Sequence, residues 1–567
     1  MKPATSTDAT PSVVSTAALF PAAKIGWSIA IVATLYVCYF SQLGVLGFVG
    51  PDEPRYAWIA RAMAETGDWV TPRLYGQPWF EKPVLYYWGA ALSFKLFGVS
   101  EASARLPSAL SALFATLALA CLALRIYGAA TARWLLLLLP SSVGMIGFSH
   151  AAATDMPFSG MLTIAMVCAA AALGLTHHEH TAIPPRTRYP ALLLFGFFLG
   201  LAVLAKGPAA IILCAGALLF WAIFTKRWRD AFRLLHPAAV VAFCATALPW
   251  YILCARRNAD FFRVFIIEHN FKRYLTPEFQ HVQPFWFYLP VLLVAFLPWT
   301  ATLLWSASVG AKHWFQTRRI PDATFLLICW AGFCIFFFST SHSKLPGYIL
   351  PAFPPAGLLI ARSCVSLAPG RRFSFRVAHF SAAALLFLAL TLTTGFTFHG
   401  KVGFAGVAIA VAAFAIANLL LGVFFVNAEP RNAGRAIAAM AVTPMLIALL
   451  LARQIVPFFF YNDPSGRTIA RELQQRQIPA EQLSVALQRS MQYSLSFYMH
   501  QEIKSWDENT ATGGYLLTNR KDCQQVVRPR FVCQRVAFDE NDATGEFLFR
   551  LLPAGSAAGL PIDGQVR

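Results

Sequence analysis

The chain has 567 residues, of which 57% are hydrophobic and only 13% charged, and its formal net charge is +19. A soluble globular protein carries about 25% charged residues, so the composition excludes a soluble enzyme and describes a polytopic membrane protein. The basic excess would point to nucleic acid in a soluble chain; here it lies mostly in short loops, where it sets orientation in the bilayer, and no nucleic acid is implied.

In chain order, the Ser/Thr/Ala-rich residues 1–24 are expected to be disordered. Ile25–Phe48 is too long for the apolar segment of a cleaved signal peptide. Spans of about 20 residues must be helical, because lipid cannot satisfy backbone groups. The apolar runs predict spans at Ile25–Phe48, Leu106–Ile126, Trp134–Ser149, Pro157–Leu175, Pro190–Ala205, Pro208–Phe224 and Pro237–Cys254. Further runs follow at Pro284–Trp305, Ala323–Ser339, Tyr348–Ala361, Val377–Phe398, Val402–Val426 and Ala436–Phe458. The expectation is an all-α polytopic membrane protein of about 13 transmembrane helices with a small C-terminal α/β soluble domain. No internal repeat is evident.

With the N-terminus in the cytoplasm, one set of loops holds Arg125 and Arg133, then Arg186 and Arg188, then Lys226, Arg227, Arg229 and Arg233, and continues basic through Arg319, Arg372 and Arg435. That agrees with the positive-inside rule and places residues after Tyr461 outside. The opposite loops hold Asp52, Glu81 and Lys82, then His150 and Asp155, then Lys206, then Arg256–Gln283, then His342, Lys344 and Tyr348. Ionisable groups at helix ends in a bilayer cost roughly 1–3 kcal/mol unless paired or wetted. Their repetition on one face implies a site.

Outside the cytoplasmic membrane there is no nucleotide sugar, so a transfer there needs a donor activated on lipid, such as a polyprenyl-phosphate sugar. The leaving phosphate needs cations, for which Lys82, Lys206, Lys272, Arg273 and Lys344 stand available, although each alone also reads as a snorkelling or topology residue. An alcohol acceptor needs a general base. Asp52 and Asp155 are the candidates, and each also reads as a helix cap. Glu81 and His269 are potential ligands for a divalent cation. A transporter or lipid flippase is the alternative, but transporters place charges at the midplane of repeated halves.

Asp52-Glu53 with Arg55-Tyr56, Gly67-Asp68-Trp69, Phe80-Glu81-Lys82-Pro83, Asp155-Met156-Pro157, Lys206-Gly207, Glu268-His269 with Arg273, and Lys344-Leu345-Pro346 with Tyr348 occur in this order. With them the chain, from Ile25 to Ala361, resembles the GT-C membrane glycosyltransferases that use lipid-phosphate sugars. The nearer likeness is to the branch of the aminoarabinose lipid A transferase, and the more distant one to the protein O-mannosyltransferases. The resemblance implies inversion by direct displacement, Asp52 as catalytic carboxylate and Asp155 as a second essential acid. It implies Lys82, Arg273 and Tyr348 on the lipid phosphate, helped by Lys206, with Lys272 competing with Arg273. It also implies a metal ion, zinc in some members, at Glu81 and His269. The partners implied are a polyprenyl-phosphate sugar donor, membrane lipids and a glycolipid, glycan or protein acceptor, at the outer face of the bacterial cytoplasmic membrane.

The domains expected are therefore 1–24, a transmembrane catalytic domain 25–458 and a periplasmic domain 459–567. Within the first external loop, 49–105, two interfacial helices are expected at Arg55–Glu65 and Pro83–Phe97. Trp69, Trp79, Tyr86 and Trp88 suit either an aromatic belt or sugar stacking. In the tail, a helix at Thr468–Gln477 and strands at Ser484–Leu487, Tyr515–Thr518, Phe531–Phe538 and Phe547–Leu552 are expected, with a Cys523–Cys533 disulfide permitted by an oxidising compartment.

Overall fold

The computed structural model describes residues 21–176, 185–272, 282–297, 299–365, 465–507, 513–520, 523, 526–527, 531–536 and 547–553. The expected spans Val377–Phe398, Val402–Val426 and Ala436–Phe458 lie outside these residues, as does Arg273.

Helix α1 (Pro21–Tyr39) is followed by a turn-rich segment and by α2 (Asp52–Thr66), the two-residue hairpin β1 (Arg73–Leu74) and β2 (Gln77–Pro78), and α3 (Leu85–Phe97). Then come α4 (Glu101–Tyr127), α5 (Ala129–Leu138), α6 (Val143–Ser149), α7 (Asp155–Ala172), α8 (Pro185–Lys206), α9 (Ala209–Thr225), the short α10 (Trp228–Phe232) and α11 (Pro237–Arg257). A π-helix covers Arg263–Lys272, a rare form that gathers at functional sites. After it stand α12 (Tyr288–Ala295), α13 (Thr300–Thr317), α14 (Asp322–Ser339), a 3-10 turn at Pro346–Ala352 and α15 (Phe353–Val365).

Among the described residues six helices are long and apolar enough to cross a membrane, or seven if α5 and α6, bent by 64°, are one span. The count falls short of the expected thirteen partly because several runs are broken. Trp134–Ser149 bends at Pro140, and Pro284–Trp305 is interrupted between α12 and α13, where the sequence places Pro298; a proline removes a backbone donor and clashes with the preceding turn. Ile25–Phe48 ends as helix at Tyr39, because the carbonyls of Leu43, Leu46 and Gly47 turn to Arg105.

The two helices expected in the first loop are present as α2 and α3. The buried residues of α2, Glu53, Tyr56, Ala57, Ala60 and Met63, recur at helical spacing and form one face. That face packs with Phe80, Tyr86, Tyr87, Trp250 and Phe261 in a core separate from the transmembrane one.

The C-terminal residues form α16 (Arg467–Gln475), β3 (Leu483–Ala486), α17 (Arg489–Met499), β4 (Lys504–Ser505), β5 (Gly514–Thr518), β6 (Phe531–Val536) and β7 (Phe547–Pro553). The sheet order is β4-β3-β5-β7-β6, with β3 parallel to β4 and β5 and the pairs to β7 antiparallel. The Cys523–Cys533 disulfide is formed. Helix α17 was not expected, although Met491, Leu495 and Tyr498 carry its spacing. It packs against α2 and so joins the C-terminal sheet to the helix that opens on Asp52.

Candidate active site

Asp52 opens α2, with Pro54 in the first turn, where a missing N–H costs nothing. Arg55, one turn on, donates through Nη2 to Asp52 Oδ1 at 2.5 Å and reaches Glu81 Oε2 at 2.9 Å. Lys82 Nζ stands 3.4 Å from Glu81 Oε1. The result is an alternating row of charge, Asp52, Arg55, Glu81, Lys82. Although 52% of the Asp52 side chain is open, surrounding protein withholds bulk water. That desolvation is the chief reason its carboxyl pKa is raised from its ordinary value; Arg55 opposes the rise, Glu81 adds to it, Lys82 opposes it, and the charge of Asp155 adds to it.

The second acid is reached through the backbone: Ala152, three residues before Asp155, donates its N–H to Glu53, the neighbour of Asp52. Asp155 is the first residue of α7, and Lys206, the last of α8, donates to its Oδ1 at 2.5 Å. Gly207 follows at φ +86°, a conformation that stops α8 there and that side chains other than glycine resist. The Lys206 ammonium lies 4.8 Å from the centre of the Tyr348 ring, so Asp155, Lys206 and Tyr348 form a second group. The approach is close: a Cβ on Gly347 would stand 2.9 Å from Asp155 Oδ1 and 2.8 Å from the Phe148 ring. Gly347→Ala is therefore expected to displace Asp155 with little change in the amount of protein in membranes, read by a structure of the variant and an immunoblot.

Glu53 ties the two groups together. It is buried, and its carboxylate takes Arg105 Nε at 3.0 Å and Nη2 at 2.8 Å, a two-pronged pair. Its Oε2 also accepts from Val49 N at 2.8 Å and its Oε1 from Ala152 N at 2.7 Å. Arg105 spends its remaining donors on Leu43, Leu46 and Gly47 carbonyls. One ion pair thus fixes the segment before Asp52 to the segment before Asp155. Little in the sequence signals the pair: Glu53 stands beside Asp52, and Arg105 just before the apolar run at Leu106. Arg55 is equally inconspicuous, one residue of the Asp52-Glu53-Pro54-Arg55-Tyr56 run.

The other expected residues separate. Lys344 is buried and donates to Gln283 O at 2.9 Å and Ser341 O at 2.6 Å, holding the turn before Pro346. Burial lowers its pKa. His269 and Lys272 lie on the π-helix, but their side chains, like all of Arg273, fall outside the described residues. Of the loop aromatics, Tyr86 is buried and bonded to Ala104 O at 2.9 Å, and Trp88 donates to Trp69 O at 2.8 Å, so both act as structural pins. Trp79 stays at the site, 5.4 Å from the Arg55 guanidinium. The buried donors Arg55 Nε and Trp79 Nε1 have no hydrogen-bond partner among the described residues. A cleft of about 450 Å³ opens alongside, lined by Trp79, Glu81, Asn258, Asp260 and Arg263.

Of the two expected metal ligands, Glu81 turns its oxygens to Arg55 and Lys82, and the His269 side chain lies outside the described residues; among the described residues no three His, Cys, Asp or Glu side chains come together.

The family model for dolichyl-phosphate-mannose-protein mannosyltransferases matches residues 26–265. The undecaprenyl phosphate-alpha-4-amino-4-deoxy-L-arabinose arabinosyl transferase of Aeromonas salmonicida is 32% identical over 406 residues, 70% of this chain and 71% of that protein. The corresponding transferase of Pseudomonas paraeruginosa is 34% identical over 340 residues, 60% of this chain and 59% of its own length. The fold matches the crystal structure of ArnT from Cupriavidus metallidurans bound to undecaprenyl phosphate, with a TM-score of 0.75 at 24% identity, covering 92% of this chain and 98% of that one. The transporter alternative falls away, and the resemblance read from the motifs holds. The chain belongs to the GT-C family of membrane glycosyltransferases that use polyprenyl-phosphate sugars, in the branch of the aminoarabinose arabinosyl transferases.

Proposed function

We propose that the protein moves 4-amino-4-deoxy-L-arabinose from undecaprenyl phosphate to a lipid A-like glycolipid at the outer face of the bacterial cytoplasmic membrane, with inversion. The observation that supports the reading is that two acids, Asp52 and Asp155, each ion-paired to a cation, open helices whose preceding segments are tied together by Glu53 and Arg105.

In this reading the acceptor oxygen attacks the anomeric carbon as the bond from that carbon to the phosphate oxygen breaks, and the electron pair leaves with the lipid phosphate. Asp52 takes the proton of an alcohol acceptor. With a phosphate acceptor, already ionised, it stabilises the positive charge growing on the sugar. Both roles need the carboxylate ionised. Lys82 and Lys206, with Arg273, Lys272 and the Tyr348 hydroxyl, meet the negative charge on the departing phosphate. Lys344, bonded to two carbonyls, positions the Tyr348 turn instead. Arg55 Nε and Trp79 Nε1 supply hydrogen bonds to sugar hydroxyls, and the neighbouring cleft admits the acceptor. Thirteen spans, a cytoplasmic N-terminus and a periplasmic C-terminal domain complete the reading.

The test is incubation of purified protein with a panel of polyprenyl-phosphate sugars. Undecaprenyl-phosphate aminoarabinose should release undecaprenyl phosphate in the presence of lipid A at least tenfold faster than the other donors. Equal or faster release from a hexose donor would overturn the donor assignment.

A further inference from the structure

The reaction face is not built from the membrane helices alone. From α17 of the C-terminal domain, Tyr493 places its ring 5.8 Å from the Arg55 guanidinium. Tyr56 and Trp79 stand at 5.4 Å each, so the guanidinium has three aromatic neighbours, one from the far end of the chain. The Tyr493 ring is held in turn by stacking on Tyr75 at 6.3 Å, and Tyr75 packs edge-on against Trp58 at 4.9 Å. The domain is anchored independently of this contact. Arg467 pairs with Glu101 at 3.0 Å, and the Tyr498 hydroxyl donates to the same carboxylate and accepts from Phe48 N.

Arg55 Nη2 faces both Asp52 and Glu81, one N–H toward each. Rings around a cation limit its tilt and attract it through their faces. We propose that Tyr493 is a positioning residue for the transfer reaction: it holds Arg55 against Asp52, so that the C-terminal domain sets the charge balance at the base. The proposal rests on the assignment of Asp52 above. What matters is the ring, not the hydroxyl. The charged groups around Asp52 are Arg55 on its own helix, Glu81 and Lys82 from the loop, and Asp155 from α7. Of these, Arg55 is the strongest influence keeping Asp52 ionised. Loosening it moves the acid limb of the activity profile to higher pH.

The experiment uses the full-length protein with undecaprenyl-phosphate aminoarabinose and lipid A, comparing wild type with Tyr493→Phe, Tyr493→Leu and Tyr493→Gln. Tyr493 is only half buried, and the Arg467 anchor is untouched, so the domain stays docked. Tyr493→Phe is expected within about twofold of wild type. Tyr493→Leu and Tyr493→Gln are expected to lose at least tenfold in kcat, with donor KM changed less than twofold and the acid limb shifted upward. Wild-type kcat and acid limb in both non-aromatic variants, or equal loss in Tyr493→Phe, would overturn the proposal. An inactive wild type, or an active Asp52→Asn, would instead remove the reading beneath it.

Discussion

Asp52→Asn is expected to lower sugar transfer by roughly 10²–10⁴-fold, the range that a positioned proton acceptor contributes, while the protein accumulates in membranes and melts like the wild type. The amide keeps the shape, and half of the side chain is open, so folding loses little. Only the charge disappears. The pH profile of the wild type carries the same signature. Desolvation raises the Asp52 pKa, and the carboxylate is the working form. Activity therefore falls as pH drops through the raised Asp52 pKa, and Asp52→Asn has no such limb. An asparagine variant with near-normal turnover would remove Asp52 from the chemistry.

Glu53→Ala, one residue away, is expected to fail in the opposite manner. It strands the Arg105 guanidinium in a buried position and releases Val49 N and Ala152 N together. Removing one partner of a buried pair costs roughly 3–5 kcal/mol, a large part of the stability of most domains. The variant should accumulate poorly and unfold at lower temperature in detergent; Arg105→Met should do the same. Wild-type melting in both would mean that the pair does not hold the two acid-bearing segments together. The contrast between adjacent residues separates chemistry from architecture: neutralising Asp52 stops the reaction in an intact protein, whereas removing Glu53 dismantles the site.

Much of this was legible in the sequence because bilayers leave few options. Apolar runs must be helices, and charged residues at their ends must have a reason, which is how Asp52, Glu81, Lys82, His150, Asp155, Lys206, His342, Lys344 and Tyr348 could be placed on one face. What stayed hidden depends on contact rather than composition. The Glu53–Arg105 pair joins residues 52 positions apart, and no periodicity announces it. Lys344 reads as one more external cation until its two carbonyl partners are known. Breaks at Pro140 and near Pro298 were signalled by proline itself and were overridden by the hydrophobicity around them. Helix α17 was missed because its apolar residues are interleaved with Ser and Gln, and its role came from docking on α2.

The most direct measurement is an experimental structure with undecaprenyl phosphate bound. The phosphate is expected within about 3 Å of the Lys82 or Lys206 ammonium and beside the Tyr348 hydroxyl, with Asp52 and Asp155 facing the same chamber. A phosphate held elsewhere, or the two acids opening onto opposite leaflets, would contradict this expectation.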